Sequence, residues 1–335
     1  MRRRNLREVE FDSRWVGPHG IGRFAAEMQR RIEFTDFVRG RITPSHPADT
    51  VVMSLRLLGR PGRWLYSPGF NAPLFGLRRY VLTVHDLNHI DIPGQGLLKR
   101  LYYQLILKRA CRRAARVLTV SEFSRSRIVD WAGVPEGQVV NVGNGVGAAF
   151  TRTGPHFNPG YRYFLCVSNR KPHKNEERML RAFAEAAIDP AIRLLVSGQA
   201  SGDQLRQIKQ LGLGKRVVFM GSLADDELAA RYRGAIGLLF VSLYEGFGLP
   251  IVEAMSCGTP VITSRVASMP EIAGDAALLV DPESVEGIAL AIAEIADDRG
   301  GIATRLSRLG LERARRFDWE KVADAVFDLL NTLGR

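Results

Sequence analysis

The chain alternates short, β-branched apolar runs with longer helical stretches, and it does so twice. In the first half "LREVEFDSRWV", "TVVMSL", "RYVLTVHDL", "RVLTVS" and "VVNVG" read as strands. In the second half "YFLCVSN", "IRLLVSG", "RVVFMGS", "GLLFVS" and "PVITS" read the same way. Helical stretches intervene at residues 21–32, 97–115, 124–132, 176–187, 225–233 and 250–256. Near-continuous apolar strands separated by helices imply parallel sheets covered on both faces. Between the two series, residues 144–162, "NGVGAAFTRTGPHFNPGYR", are rich in Gly and Pro and read as a linker. The expected architecture is therefore α/β, with one Rossmann-like domain over residues 1–150 and another over 160–315. The parallel sheets are expected to face each other across a cleft. A total of 335 residues suits two cores. Residues 316–335 carry a last amphipathic helix, "FDWEKVADAVFDLLNTL". In such sheets ligands sit at the C-terminal ends of the strands, which is where functional residues are sought.

Composition narrows the classes. Hydrophobic residues make up 46% and charged residues 24%, an ordinary globular balance. Cys111, Cys166 and Cys257 are scattered without a CxxC pair. That argues against a disulfide framework or zinc site and fits a reducing compartment. No apolar run reaches the ~18 residues of a membrane span. The start, "MRRRNLREVEFD", is basic but lacks the apolar core of a signal peptide. A cytoplasmic protein is expected.

The net charge of +12 asks for an anionic partner: nucleic acid, lipid or phosphorylated substrate. Basic residues gather in the first half, in "MRRR", "GLRRY" and "LKRLYYQLILKRACRRAAR". Over 97–115, Lys99, Arg100, Lys108, Arg109, Arg112 and Arg113 stand among Leu, Ile and Tyr. This is either a solvated helix face or a surface resting on an anionic membrane, where each basic residue contributes about 1 kcal/mol. A nucleic-acid-binding protein is the reading of another class. It predicts aromatics interleaved with the basic runs, but aromatics are 8% of the chain and no RNP1 or C2H2 pattern occurs. No nucleic acid partner is expected.

The most informative stretch is "SLYEGFGLPIVEAMSCGTPV", residues 242–261. The strand "GLLFVS" leaves through "LYEGFG", and Pro250 suits a helix start because its missing N–H would be unpaired there. Phe247, Gly248 and Leu249 then offer backbone N–H groups at a helix N-terminus, an anion site that glycine lets a ligand approach closely. Glu245 precedes the turn. Glu253 is placed in the first helical turn, where the dipole favours a carboxylate and where it can accept from hydroxyls. An anion flanked by two polyols uses all three features, and a nucleoside diphosphate sugar has that shape.

The segment "EGFGLPIVEAMSCGTPVITSRVASMPEIAGDAALLVDP" resembles the E-x7-E region of the retaining GT-B glycosyltransferases of family 4. The likeness continues in "NRKPHKNEERMLRAF", "LLVSGQA", "VVFMGSLADDELAARYRGA" and "RRFDWEKVADAVFDLL", covering most of residues 163–330. It is thinner in "GPHGIGRFAAEM", "VHDLNHI", "RVLTVSEFSRSRI" and "NVGNGV". The resemblance implies a GT-B fold whose C-terminal helix, 316–335, crosses back onto the first domain. It implies that Glu245 meets the donor sugar's hydroxyls and Glu253 the ribose. It places His85 of "VHDLNHI" beside the donor hexose, with Asp86 orienting it or helping on the acceptor side and His89 a further acceptor-side candidate.

Gly20 and Gly22, with Gly17, form a strand-to-helix turn suited to a phosphate or a closely held substrate; in the family the matching loop closes over the diphosphate. "SNRKPHKN" puts Arg170, Lys171, His173 and Lys174 after a strand, where cations neutralise a diphosphate and stabilise a departing nucleotide. Relatives carry Gly-Arg at the positions of Ser168 and Asn169, so Arg170 sits one place late, whereas Lys174 matches. Ser222 and Leu223, after Gly221, resemble the segment whose backbone meets the base.

No D-x-D triplet occurs, which disfavours the metal-dependent GT-A arrangement. No cofactor and no metal are expected. The resemblance to mannosyl- and rhamnosyl-type transferases of bacterial surface polysaccharides points to GDP-mannose or a related GDP-deoxyhexose as donor, with UDP-glucose or UDP-GlcNAc as alternatives. The acceptor is expected to be a saccharide or lipid-linked oligosaccharide, and the location cytoplasmic, either free or on the inner membrane face. A sugar-nucleotide epimerase or phosphorylase of the same fold is the other enzyme class; the phosphorylase needs a pyridoxal-phosphate lysine, for which no pattern is seen.

Overall fold

The computed structural model describes residues 4–92 and 96–333. Of the basic start "MRRR", only Arg4 is among them. The chain divides into two compact units, Met1–Gly145 with Asp318–Arg335, and Val146–Phe317. No helix among the described residues is long and apolar enough to cross a membrane.

The first unit holds six parallel strands: β1 (Asn5–Phe11), β2 (Glu33–Phe37), β3 (Trp64–Ser67), β4 (Tyr80–Thr83), β5 (Arg116–Thr119) and β6 (Val139–Asn141), in the order β2-β1-β3-β4-β5-β6. Every residue of β4 is buried. Tyr80, Leu82 and Val117 pack with Met53, Leu57, Leu107, Cys111 and Ile128 from helices covering the sheet. The helix Trp319–Leu333 belongs to this unit. Arg4 bridges Glu320 and Asp324 at 2.8 and 2.7 Å, and Phe24 meets Trp319 edge-on at 5.9 Å.

The second unit repeats the plan with β7 (Tyr163–Cys166), β8 (Arg193–Val196), β9 (Val217–Phe219), β10 (Gly237–Phe240), β11 (Val261–Ser264) and β12 (Leu278–Val280), again all parallel, ordered β12-β11-β10-β7-β8-β9. β7, β10 and β11 are buried along their whole length. Phe164, Leu194, Leu239 and Ile262 pack with Met179, Phe183, Ile288 and Ile292. Strand order reverses between β1 and β3 in one sheet and between β7 and β10 in the other. In open α/β sheets these switch points leave the crevice where ligands bind.

Three expectations are corrected. "TVVMSL" is not a strand but the middle of the helix Asp49–Gly59. Asp49, Thr50, Met53, Ser54 and Leu57 are buried at helical spacing, while Val51 and Val52 face outward, so the β-branched pair misled. "LREVEFDSRWV" stops being a strand at Phe11, because the Asp12 carboxylate accepts from the Arg14 amide and turns Ser13–Trp15 into a 3-10 helix. Most of the glycine-rich segment 144–162 is fastened to the second unit. The Phe157 amide donates to the Ala230 carbonyl at 2.9 Å, and Arg233 donates to the Pro155 carbonyl at 2.8 Å. The basic stretch after residue 96 is helical through Arg113, with a π segment at Tyr103–Leu107.

Candidate functional site

In the second unit the functional residues gather where β7 and β10 end side by side. After β7 the chain makes the 3-10 turn Pro172–Lys174, closed by Asn175 at φ 58°. Asparagine tolerates this left-handed backbone, and its side-chain amide donates to the Val241 and Pro282 carbonyls at 3.0 and 2.7 Å. The Leu243 amide donates to the His173 carbonyl at 2.7 Å, tying the turn to the exit of β10. Lys174 is thereby delivered to Glu245: Nζ lies 2.6 Å from Oε1, both side chains being mostly buried. The same ammonium stands 5.1 Å from the Phe240 ring centroid, so its stem is packed while its head is paired.

The turn after Glu245 is equally fixed. Ser268 Oγ lies 2.9 Å from both the Glu245 and Phe247 carbonyls and donates to them as a shared donor. Gly248, at φ 103° and ψ 55°, is the residue before the helix Leu249–Ser256, a backbone that L side chains rarely adopt. Pro250 stands second in that helix and brings no N–H. The amides of Gly248 and Leu249, with Phe247 just before them, therefore head the helix.

Glu253 is not in the first helical turn: with the helix beginning at Leu249 it is the fifth residue, so the dipole argument for it falls. It is instead buried, 4% exposed, with Oε2 accepting from the Tyr232 hydroxyl at 3.1 Å.

Arg170 is not brought to Lys174 and Glu245. At φ 64°, it turns its guanidinium to Glu176 (2.6 Å), the Gln199 carbonyl (3.0 Å) and the Ser197 carbonyl, over the face of Phe219. Its charge is paired there with Glu176, and it holds together the loops after β7 and β8. Ser222 is exposed and Leu223 half-buried, just past an antiparallel bridge between Gly198 and Gly221.

The first unit carries His85 at the C-terminal side of β4. Its Nε2 is 3.0 Å from the Pro68 carbonyl. A carbonyl only accepts, so Nε2 bears the proton and Nδ1 the lone pair. Burial pushes the pKa down to about 4, against the opposing pull of that hydrogen bond. His85 is therefore neutral at physiological pH, an uncharged donor–acceptor packed edge-on against Phe24 at 5.1 Å. Asp86 Oδ1 accepts from the Asn88 amide at 3.0 Å and so turns the chain into the short helix Asn88–Asp91. His89 meets the Tyr103 ring edge-on at 5.3 Å.

The glycine turn before Gly20–Arg31 divides in two. A Cβ on Gly22 would lie 2.2 Å from the Gly17 carbonyl oxygen, so the close approach of the Gly17 backbone requires glycine there. A Cβ on Gly20 would meet nothing within 4 Å.

Sequence reasoning missed His19, Tyr232 and Ser268. The His19 ring Nδ1 accepts from the Gly22 amide at 2.9 Å and caps the helix; its place before a glycine-rich helix start was the available signal. Nothing local marks Tyr232 or Ser268, which act across 21 or more residues of chain. The three thiols are buried and pushed up to about 12, so none is a thiolate nucleophile at neutral pH.

Residues 150–313 match the family described as "Glycosyl transferases group 1", and residues 2–145 match the "Glycosyl transferase 4-like domain". The O-antigen chain mannosyltransferase B of Escherichia coli is 32% identical over 270 residues, covering 76% of this chain and 70% of that protein. The MMP alpha-(1->4)-mannosyltransferase of Mycolicibacterium hassiacum is 34% identical over 239 residues, 68% of this chain but 56% of that one. Among solved structures, Anabaena Alr3699/HepE, determined in complex with UDP and glucose, superimposes with a TM-score of 0.77 at 20% identity, covering 98% of this chain and 100% of that chain. Sucrose-phosphate synthase from Thermosynechococcus elongatus gives 0.70 at 22% identity, covering 91% and 84%. These likenesses establish the GT-B fold. With both halves matched and a relative above 30% identity, the chain belongs to the group 1, 4-like glycosyltransferases.

Proposed function

We propose that this glycosyltransferase moves a hexose, mannose or a related deoxyhexose, from a nucleoside diphosphate sugar to a saccharide or lipid-linked acceptor in the synthesis of a bacterial surface polysaccharide, with retention at the anomeric carbon. The observation that carries this reading is the Lys174–Glu245 pair, 2.6 Å apart, beside the Gly248 helix start at the β7/β10 switch point. An ammonium and helix-start amides suit a diphosphate; a carboxylate next to them suits sugar hydroxyls. The relatives named as mannosyltransferases favour GDP-mannose as donor. UDP-glucose or UDP-GlcNAc is the alternative.

In this mechanism the donor is held by the second unit and the acceptor by the first. As the C1–O bond breaks, negative charge grows on the departing diphosphate, where Lys174 and the Gly248 and Leu249 amides stabilise it. The acceptor hydroxyl attacks from the face the leaving group vacates, and the departing phosphate oxygen takes its proton. No enzyme nucleophile is used. Glu253 holds the ribose, Ser222 and Leu223 lie against the base through their backbone, and neutral His85 contacts the hexose without acting as a base. Asp86, whose carboxylate accepts from the Asn88 amide in its own unit, serves the acceptor side. The enzyme works in the cytoplasm, with its basic first unit against the inner face of the membrane.

Thermal shift against GDP, UDP, dTDP and single-stranded DNA, followed by donor-consumption assays, tests the reading. Binding at ~100 Kd adds about 2.7 kcal/mol of stability, and GDP is expected to give the largest shift. A shift with DNA alone, or near wild-type turnover in both Glu245→Ala and Lys174→Ala, refutes it.

A further inference from the structure

A pocket of about 720 Å³ lies in the first unit between the loop leading into β4 and the end of the helical run that reaches Arg113. Arg78, Arg79, Arg109, Arg112 and Arg113 line it, with Phe75 at its rim. Leu77–Arg79 immediately precede β4, and Arg112 and Arg113 shortly precede β5. The pocket is therefore at the N-terminal ends of these strands, the opposite side of the sheet from His85, and it does not belong to the transfer site.

The arginines are held in place by carbonyls rather than by acids. Arg79 donates to the carbonyls of Leu57, Arg60 and Arg63, Arg109 to that of Leu74 at 2.6 Å, and Arg112 to that of Ala132 at 2.5 Å. Arg78 and Arg113 are exposed and have no hydrogen-bond or ion-pair partner among the described residues. Gly76, at φ 78°, shapes the loop; a Cβ there would press on Leu57 at 2.9 Å. Five guanidinium groups around one space, none paired with a carboxylate among the described residues, repel one another and attract an anion with several acceptor oxygens.

The surroundings select the source of that anion. Leu97, Leu98 and Leu105, on the same helical run as Arg109, Arg112 and Arg113, are 72%, 82% and 64% exposed, and Phe75 is 58% exposed. A soluble phosphate would leave this apolar surface in water; a lipid covers it. We propose that the pocket seats the headgroup phosphate of an anionic phospholipid, while Phe75 and the leucines enter the boundary between headgroups and acyl chains. This rests on the membrane placement proposed above and gives it a specific site.

The test is co-sedimentation of the full chain with vesicles of phosphatidylcholine alone or mixed with phosphatidylglycerol. The pocket variant R78E/R113E is compared with K209E/K215E, which makes the same charge change on the second unit. Equal melting temperatures establish that both variants fold. At about fivefold per basic group near an anionic surface, the pocket variant is expected to lose ~30-fold or more in binding to the mixed vesicles, and the control less than threefold. Equal losses in both variants would mean diffuse charge and overturn the pocket while leaving membrane placement standing. Failure of the unaltered chain to prefer the mixed vesicles overturns both. Displacement from vesicles by free glycerol 3-phosphate, at concentrations matching the lipid phosphate, would assign the pocket to a soluble ligand instead.

Discussion

Replacing Glu245 by Gln should tighten the binding of a free nucleoside diphosphate while slowing transfer from the nucleotide sugar. Lys174 Nζ is 2.6 Å from Glu245 Oε1, so the cation offered to the diphosphate is already shared with a carboxylate. At an effective dielectric of about 20, charges at this distance attract by roughly 6 kcal/mol before desolvation. Desolvation and geometry leave about 1–3 kcal/mol of that for a mostly buried pair. A diphosphate arriving at Lys174 competes with this attraction and meets repulsion from Glu245 as well. Glutamine preserves the shape and removes the charge. The freed lysine should then bind GDP about 5- to 30-fold more tightly, or about 1–2 kcal/mol. The sugar loses its charged acceptor, worth about 1.5–3 kcal/mol, so kcat/KM for transfer should fall by roughly 10- to 100-fold. Titration calorimetry with GDP, beside a donor-consumption assay, reads both effects. Weaker or unchanged GDP binding in Glu245→Gln would show that Lys174 does not serve the diphosphate, even if activity fell.

Three further outcomes follow from single contacts. His85 has its pKa pushed down to about 4 from an ordinary 6.5, so below pH 6.5 the unfolded chain binds a proton that the folded chain refuses. Stability should therefore fall by roughly 3 kcal/mol between pH 6.5 and 4; urea melts of His85→Gln should lack this component, and parallel pH profiles would contradict it. Gly22→Ala, with its Cβ 2.2 Å from a backbone oxygen, should lose about 1–3 kcal/mol through overpacking and backbone shift, whereas Gly20→Ala should keep its melting temperature and lose activity. Equal stability loss in both would refute the division of the loop. Arg170→Met, which breaks the 2.6 Å bridge to Glu176, should destabilise by about 2–4 kcal/mol with kcat changed less than the stability implies; a hundredfold loss of kcat in a fully stable variant would return Arg170 to the reaction.

The strands β4, β5, β7, β8, β10 and β11 were legible because parallel strands covered on both faces are almost uninterrupted runs of Val, Leu, Ile and Phe. β2, "EFTDF", and β3, "WLYS", lack such a run and went unread. Asp49–Gly59 was misread because two adjacent valines outweighed a helical burial pattern that shows only once the buried positions are known. The site follows the same division. Lys174 and Glu245 each stood out in a local motif, but their pairing is a product of strand order, which no window of sequence contains. Arg170 stands out through its neighbours in the chain, whereas its partners, Glu176 six residues on and the carbonyls of Ser197 and Gln199, are products of the fold. Glu253 was found by spacing, yet its partner Tyr232 lies on another helix.

At the two switch points buried polar groups tie the strand-end loops together, and the two units use different residues for it. At the β1/β3 switch point, Arg14 joins Asp12 and Asp49 at 2.8 and 2.6 Å, and the Asn71 amide donates to both carboxylates. The Trp15 indole N–H then reaches Asn71 Oδ1 at 2.8 Å, pinning the loop after β1 to the loop after β3. At the β7/β10 switch point the pins are Asn175 and Ser268. The first network pairs its charges within itself and the second uses neutral side chains, and each ties a loop in place. Beside these pins lies the ion pair of Lys174 with Glu245, whose two charges suit the two ends of a glycosyl diphosphate on the proposed reading. A protein that must bind its donor and then release a diphosphate gains from that sharing. If the pair serves the donor as proposed, the carboxylate holds the sugar while it weakens the grip on the product, and the same Glu245 then hastens the departure of the nucleotide.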